Sequence, residues 1–160
     1  MNKDKYNIAL LGGRGYVGQE IIKLLNDHPS FNLSMAFSKS LAGKNVEGYI
    51  KNINLKYSHL SSDSLLLPDI DIVICALPNG ESLDFVNEIE KINKKIVIID
   101  IGSDYRFDDN WFYSIPELHN IPRGANKISN PGCYATAMQL AIAPLINLTK
   151  SKVSCVGISG

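Results

Sequence analysis

The stretch GGRGYVG, residues 12–18, constrains the fold of this chain more than any other feature, because of its neighbours. It follows a short apolar run at 7–11 (NIALL) and precedes 19–25 (QEIIKLL), whose apolar residues recur at helical spacing. A buried strand, a glycine turn and a helix, in that order, are the context that the dinucleotide-binding fingerprint requires. The stretch therefore predicts the first strand–turn–helix unit of a nucleotide-binding α/β domain.

The glycine loop is a candidate cofactor site. Glycine at the first position permits a tight turn, at the fourth lets the backbone approach a pyrophosphate, and at the seventh allows close packing of helix on strand. Free amides at the helix N-terminus then favour the phosphate. A tight turn that binds nothing is the alternative, and the strand and helix context favours the cofactor. The expected cofactor-binding residues of the loop are Gly12, Gly13, Arg14, Gly15, Tyr16, Val17 and Gly18.

The rest of the chain alternates in the same way. This alternation predicts an α/β fold with a Rossmann-type, doubly wound parallel sheet. We expect a NAD(P)-binding domain over 1–150, cut off before an α+β substrate and dimerisation domain of which 151–160 would be the start. Further strands are predicted at 31–37, 53–57 (weak), 70–77, 96–99 and 153–158, an extended segment at 127–129, a loop over 102–126, and helices at 81–93 and 134–148, the last interrupted by Pro144.

Composition excludes several classes of protein. Lys plus Arg and Asp plus Glu both number 16, so the chain lacks the field expected of a nucleic-acid or polybasic membrane binder. No apolar stretch reaches the roughly 18 residues of a membrane span. The three cysteines have no CxxC or zinc-type spacing, which predicts no metal site and a reducing compartment. Without a recognisable signal peptide, a cytoplasmic location is expected.

The end of the second predicted strand favours NADP(H) over NAD. NAD-binding domains usually place an acidic residue there for the ribose 2′-hydroxyl. This chain has Ser38 and Lys39 instead, a hydroxyl and a cation that suit a 2′-phosphate. A solvated loop lysine is the alternative for Lys39, so the missing carboxylate is the stronger half of the argument.

One cysteine is a candidate nucleophile. Cys133 stands in SNPGCYATA, where an extended segment ends and a helix begins at or just after the thiol. A helix N-terminus stabilises a thiolate and offers amides for an oxyanion. A small residue that merely begins a helix is the alternative. Cys75 and Cys155 lie inside predicted strands, and we expect both to be inert core residues.

The segment ISNPGCYATAMQLAIAP resembles the active-site signature of N-acetyl-γ-glutamyl-phosphate reductases, the NADPH enzymes of arginine biosynthesis. GGRGYVGQE is similar to the cofactor loop of that family, and IDIGSDYRFDDNWFYSIPEL to its substrate-side loop. SKSLAGKNVEGY and ALPNGES also resemble family segments, so the likeness covers nearly the whole chain. From ALPNGES, the resemblance adds Leu77 and Pro78 to the expected cofactor-binding residues.

The resemblance implies a two-step reduction. Cys133 attacks an acyl phosphate to form a thioester, which NADPH reduces to N-acetyl-L-glutamate 5-semialdehyde. Related enzymes acting on aminoadipyl or aspartyl phosphate, and a non-catalytic nucleotide-binding module, remain alternatives. The family's acid/base histidine is expected outside this chain, and the full-length protein is expected to be a homo-oligomer, a dimer or tetramer.

Two further residues are candidates for substrate binding. Arg106 suits a phosphate because a guanidinium binds phosphate bidentately, and an ion pair with Asp104, Asp108 or Asp109 is the alternative. Asn130 is a candidate for orienting the thiol or the substrate carbonyl, and a turn before the following proline is its alternative. Glu117 is a weaker candidate.

Overall fold

The computed structural model describes residues 5–62, 65–148 and 150–158. Its centre is a seven-stranded sheet in which every neighbouring pair of strands is parallel. This confirms the predicted α/β class. The strands are β1 (Tyr6–Leu11), β2 (Phe31–Ser38), β3 (Tyr57–His59), β4 (Ile72–Cys75), β5 (Val97–Asp100), β6 (Phe112–Tyr113) and β7 (Lys127–Ser129).

Among the described residues, two helices connect strands and lie on opposite faces of the sheet, and a third follows the last strand. Helix α1 (Tyr16–Asp27) follows β1, α2 (Ser82–Ile92) follows β4, and α3 (Cys133–Ile142) follows β7. His28 is the C-cap of α1. Helix α3 ends at Ile142, earlier than predicted, because Pro144 has no backbone N–H with which to continue the α-helical hydrogen bonds. The chain continues as a 3-10 turn, Ala143–Leu145.

Successive side chains of β1 point to opposite faces of the sheet, and each face packs against a different helix. Ile8 and Leu10 are buried in a cluster that includes Ile22 and Leu25 of α1. Ala9 and Leu11 point to the other face, where their cluster includes three apolar residues of α2. Because successive strand residues alternate between faces, a continuous apolar run is buried on both. The sheet is therefore doubly wound, as predicted.

The strand order is β3-β2-β1-β4-β5-β7-β6, so the connections turn in opposite directions on either side of β1 and β4. In such sheets the ligand crevice lies at the carboxyl ends of the strands, where the order reverses. The register of the strands brings the carboxyl ends of β1, β4, β5 and β7 to the same level of the sheet. Leu11 pairs with Phe37 and with Cys75, Cys75 pairs with Asp100, and Asp100 pairs with Ser129.

Some predicted elements differ from the structure. No strand forms over 153–158 in the described part of the chain, and Cys155 is exposed rather than buried. An apolar run becomes a strand only where another strand pairs with it, and this segment has no such neighbour among the described residues. The weak strand lies at Tyr57–His59 instead of 53–57, and the predicted loop over 102–126 contains the short β6.

Within the residues that the structure describes, no helix is long and apolar enough to cross a membrane. The same residues contain no cluster of three His, Cys, Asp or Glu side chains placed to bind a metal ion.

Candidate active site

The glycine loop is shaped by close backbone contacts. Gly12 has φ +83°, and a Cβ there would lie 2.2 Å from the carbonyl oxygen of Ala76, the residue after β4. A Cβ on Gly18 would lie 2.5 Å from the carbonyl oxygen of Gly12. Only glycine fits either position, because one needs the left-handed region and both need the space of a side chain. The loop is thus pressed against β4 on one side and α1 on the other.

Two side chains that the sequence analysis missed, Gln19 and Tyr57, donate hydrogen bonds to the backbone of the glycine loop. Gln19 donates from Nε2 to the carbonyl oxygen of Gly13 at 2.7 Å and to the hydroxyl of Tyr57 at 3.0 Å. The Tyr57 hydroxyl donates to the same Gly13 carbonyl at 3.3 Å. Burial raises the pKa of Tyr57, so it stays a neutral donor at physiological pH. Gln19 lies in the predicted helix, but nothing local marked Tyr57, which is 44 residues from Gly13 in sequence.

The open side of the loop suits a phosphate. Gly15 is the N-cap of α1, and no side chain caps this helix. A Cβ on Gly15 would meet only the Gly12 carbonyl oxygen, at 3.6 Å, so the space in front of it is open. The first amides of α1 therefore lack a side-chain acceptor and face an open surface, which is the arrangement that binds anions. Arg14, Tyr16 and Val17 are exposed around this opening.

The other expected cofactor residues lie at the same edge of the sheet. Ser38 is buried, and its hydroxyl oxygen accepts a hydrogen bond from the Leu41 amide at 3.2 Å. Lys39 is exposed and pairs with Glu81 at 3.0 Å, a partner that the sequence analysis did not consider. Leu77 is buried, with a methyl group 3.2 Å from the Cβ position of Gly12, and the exposed Pro78 follows it.

The candidate nucleophile is exposed at the start of its helix. Cys133 is the first residue of α3, whose N-cap is Gly132 and which no side chain caps. The first amides of α3 thus point toward the space around the thiol, as they would need to do to bind an oxyanion. The thiol lies close to the carboxyl edge of the sheet because Ser129, at the end of β7, is four residues earlier.

Arg106 lies directly beside this segment. Its Nε donates to the Asn130 carbonyl oxygen at 3.3 Å, and Nη2 donates to the Ile101 carbonyl oxygen at 3.3 Å. Its Nη1 is 3.0 Å from the Cβ position of Gly132, so the guanidinium lies in tight contact with the backbone there. Among the described residues Arg106 forms no ion pair, which removes the alternative partners considered above. Carbonyl oxygens position its charge without neutralising it, and the cation stays available for an anionic substrate.

The neighbouring acids are engaged elsewhere. Asp104 accepts hydrogen bonds from the amides of Gly80 at 2.6 Å and Ser82 at 3.0 Å, at the N-terminus of α2. Asp108 accepts hydrogen bonds from Asn110 in its own turn. A carboxylate at a helix N-terminus stabilises the helix, and Asp104 therefore fixes the loop that carries Arg106 against α2. Sequence alone gave no signal for this contact, because 22 residues separate Asp104 from Ser82.

Asn130 serves the turn in this structure. Its Nδ2 donates to the Pro131 carbonyl oxygen at 2.8 Å, and its amide donates to the Asp100 carbonyl oxygen at 2.8 Å. These contacts match the alternative of a turn former before proline. Its carbonyl oxygen also accepts from Arg106, so Asn130 links the arginine to the cysteine segment.

A cavity of about 790 Å³ joins these elements. Val17 of α1 lines it together with Arg106, Asn130 and Cys133, so part of the glycine-loop helix faces the same space as the thiol. Glu117, the weaker candidate, also lines it. Eight of its lining residues were not among the candidates of the sequence analysis: Ile101, Ser114, Ile115, Pro116, Pro131, Gly132, Thr136 and Ala137.

A buried carboxyl group lies under the site. Asp100 is fully buried, and its Oδ1 accepts a hydrogen bond from the Ser82 hydroxyl at 2.8 Å. Burial raises the pKa of Asp100 and the nearby Asp104 charge adds to this, while the Ser82 hydroxyl, the Gly102 amide and the Arg106 charge oppose it. Cys75, next to Asp100 in the sheet register, is also buried, and burial raises the pKa of its thiol well above the usual range. Cys75 is therefore an inert core residue, as predicted.

The histidines stand apart from the thiol. His28 stacks on Phe31 with ring centroids 4.1 Å apart, and its Nδ1 accepts from the Ser30 amide at 3.2 Å. His59 and His119 are exposed, and neither lines either of the two cavities that Cys133 borders.

Comparison with known proteins agrees with this geometry. Residues 7–123 match the family described as semialdehyde dehydrogenase, NAD binding domain. The chain is 43% identical over 156 residues to the N-acetyl-gamma-glutamyl-phosphate reductase of Xanthomonas axonopodis pv. citri, covering 96% of this chain and 49% of that protein. It is 41% identical over 163 residues to the protein of the same name from Stenotrophomonas maltophilia, covering 100% of this chain and 51% of that protein. The chain thus spans about half the length of the curated relatives it matches.

The fold also matches solved structures. Aspartate semialdehyde dehydrogenase II from Vibrio cholerae, in a crystal structure with ASA, superposes with a TM-score of 0.69 at 21% identity. The match covers 89% of this chain and 47% of that chain.

Proposed function

Because the chain belongs to the semialdehyde dehydrogenase NAD-binding domain family, we propose that it is the cofactor-binding and thiol-bearing part of an N-acetyl-γ-glutamyl-phosphate reductase. The reaction is the NADPH-dependent reduction of N-acetyl-L-glutamyl 5-phosphate to N-acetyl-L-glutamate 5-semialdehyde and phosphate, a step of arginine biosynthesis. The observation that carries the proposal is the shared cavity, which exposes Cys133, Arg106 and Val17 of the glycine-loop helix to one space.

Cys133 is the proposed nucleophile. Its thiolate attacks the acyl carbon, the new C–S bond forms, and the C–O bond to phosphate breaks with its electron pair on the departing phosphate. The negative charge on the carbonyl oxygen during the attack is stabilised by the uncapped amides at the start of α3. The product of this half-reaction is a thioester on Cys133.

Arg106 is the proposed phosphate-binding residue. Its guanidinium lies against Gly132, one residue before the nucleophile, and the carbonyl oxygens of Asn130 and Ile101 fix its orientation. A cation in this position attracts the acyl phosphate and stabilises the charge that accumulates on the leaving phosphate. Asn130 acts through Arg106 and through the turn that presents the thiol.

The residues of the glycine loop fit a dinucleotide. The proposed pyrophosphate contacts are the first amides of α1 in front of Gly15, where the structure leaves open space. Lys39 would bind the 2′-phosphate of NADP(H), and the buried Ser38 would support the turn after β2 through its hydrogen bond with the Leu41 amide. Leu77 and Pro78 would border the crevice from β4. When bound, NADPH supplies the hydride that converts the thioester to the aldehyde.

The test is the phosphate-dependent reduction of NADP⁺ by N-acetyl-L-glutamate 5-semialdehyde, using the longest protein that the gene encodes. We expect Cys133→Ser to abolish turnover and to leave NADPH affinity within about twofold, because the cysteine contributes to chemistry and not to cofactor binding. Cys155→Ser is the matched control, since it removes another exposed cysteine that begins no helix. Substantial turnover by Cys133→Ser would exclude the covalent mechanism.

The same assay decides the substrate. Turnover with aminoadipate or aspartate semialdehyde in place of the N-acetylglutamate compound would reassign the acyl group. NADPH binding without turnover on any of the three would favour a non-catalytic nucleotide-binding module. A homo-oligomeric full-length protein stays a prediction, which sedimentation of that protein tests.

A further inference from the structure

We propose that Glu81 is a cofactor-specificity residue, which holds Lys39 across the crevice and gives it up to the 2′-phosphate of NADP(H). The inference rests on the proposed cofactor site and adds a residue to it. Nothing in the sequence pattern singles out Glu81, because its partner is 42 positions earlier in the chain.

The ion pair spans the switch point of the sheet. Lys39 is the first residue after β2, and Glu81 stands just before α2 on the loop that follows β4. In the sheet, β1 lies between β2 and β4, and its carboxyl end leads into Gly12. The pair Lys39–Glu81 therefore bridges the two loops that flank the glycine loop. A dinucleotide whose pyrophosphate lies on that loop has its ribose next to the β2 side of this bridge.

Glu81 has no other structural task in the described contacts. It is the N-cap of α2 but makes no side-chain capping hydrogen bond, because Asp104 binds the amides on either side of it. The side chains of Lys39 and Glu81 are 62% and 42% exposed, so solvent and ligands reach both. The carboxylate can therefore be exchanged for another anion without disturbing the helix.

Only NADPH drives this exchange, so the ion pair affects the affinity for NADPH and not the affinity for NADH. A phosphate monoester carries about −1.5 to −2 charges at pH 7, more than one carboxylate, so it competes for the ammonium group of Lys39. A ribose 2′-hydroxyl is uncharged and does not displace Glu81. Only NADPH binding breaks the ion pair, so Glu81 lowers the affinity for NADPH. In the free protein the same pair orients Lys39 toward the crevice. Exposed ion pairs of this kind correspond to about 1.5- to fivefold in an equilibrium constant.

The experiment is titration of the protein with NADPH and with NADH, following the fluorescence of the reduced nicotinamide at low ionic strength. We expect Glu81→Gln to tighten NADPH binding by about two- to fivefold and to leave NADH unchanged. Glu88→Gln is the matched control: it removes a carboxylate that pairs with Lys91 on the same helix, and it should change neither affinity. The effect of Glu81→Gln should shrink with added salt, because screening weakens the pair.

A double-mutant cycle with Lys39→Met decides how Glu81 acts. If Glu81 acts through Lys39, Glu81→Gln has no effect on NADPH affinity in the Lys39→Met background. A gain that persists there would mean direct repulsion of the phosphate and would overturn the inference. Equal tightening of NADPH and NADH by Glu81→Gln would also overturn it, since the pair would then obstruct any dinucleotide.

The same titrations distinguish a failure of the proposed cofactor site from a failure of the role of Glu81 alone. A wild-type protein that binds NADH as tightly as NADPH, with Lys39→Met unchanged, would remove the proposed 2′-phosphate site and the inference with it. A wild-type preference for NADPH that Lys39→Met reduces, combined with no effect of Glu81→Gln, would retain the site and refute only the role of Glu81.

Discussion

Replacing Gly12 with alanine separates the folding role of the glycine loop from its binding role. Gly12 has φ +83°, where a residue with a Cβ is strained by about 1–2 kcal/mol. The added Cβ would also lie 2.2 Å from the carbonyl oxygen of Ala76, a backbone atom that cannot rotate away. Relieving such overpacking costs typically about 1–3 kcal/mol. The sum is a destabilisation of about 2–5 kcal/mol, a large part of the stability of an ordinary domain.

Gly15→Ala is the matched comparison in the same loop. Gly15 has φ −63°, which alanine adopts without strain, and its Cβ would meet only one atom, at 3.6 Å. We expect it to lower the free energy of unfolding by less than about 1 kcal/mol, the loss associated with alanine at an N-cap. Its methyl group would occupy the open space proposed for the pyrophosphate, so NADPH affinity should fall by tenfold or more.

The assays are urea unfolding and thermal unfolding of the two variants and the wild-type protein, both followed by far-UV circular dichroism, together with NADPH titration. Gly12→Ala should shift the thermal midpoint down by about 2–4 °C for each kcal/mol lost. Equal destabilisation by the two substitutions, or a Gly12→Ala protein within 1 kcal/mol of the wild type, would refute the reasoning from loop geometry. Unchanged NADPH affinity in Gly15→Ala would remove the pyrophosphate from this loop.

Three further results are expected. Arg106→Lys should raise the KM for phosphate in the semialdehyde oxidation by about tenfold, because a point charge replaces a bidentate donor, and an unchanged KM would return Arg106 to a structural role. Iodoacetamide should label Cys133 and then Cys155 in the folded protein and Cys75 only after unfolding, as peptide mass spectrometry will show; labelling of Cys155 before Cys133 would contradict an activated thiol. Asp100 has a raised pKa in the folded state, so the unfolded state loses this proton first, and stability falls as pH rises from the unfolded value of about 3.9 through the folded pKa. Asp100→Asn should lose that decline, and parallel curves of unfolding free energy against pH would count against the raised pKa.

Features that depend on neighbouring residues were predictable. The strand, glycine turn and helix around 12–18 follow from apolar spacing and from the backbone freedom of glycine. Cys133 was expected at the start of a helix, and it is the first residue of α3. The wrong predictions also came from reasoning on neighbouring residues alone. The run over 153–158 has the composition of a strand, but strand formation needs a paired neighbour, and composition does not supply one.

Contacts between distant residues were not predictable from the sequence. Tyr57 supports Gly13, Asp104 binds the amides at the start of α2, and Glu81 holds Lys39. In each case the partners are more than 20 residues apart in the chain, and no local pattern relates them. They meet because the strand order brings their loops to one edge of the sheet.

The sequence by itself determined several local units of this protein: the strand, turn and helix around 12–18, the need for glycine in that turn, and the cysteine that begins a helix. These depend on backbone preferences and on the spacing of apolar residues over a few positions. Only the tertiary structure decided which loops share an edge, that Arg106 lies against Gly132, and that Lys39 pairs across the glycine loop. Those contacts depend on strand order and register, which are set by burial over the whole sheet and not by any short stretch of the chain.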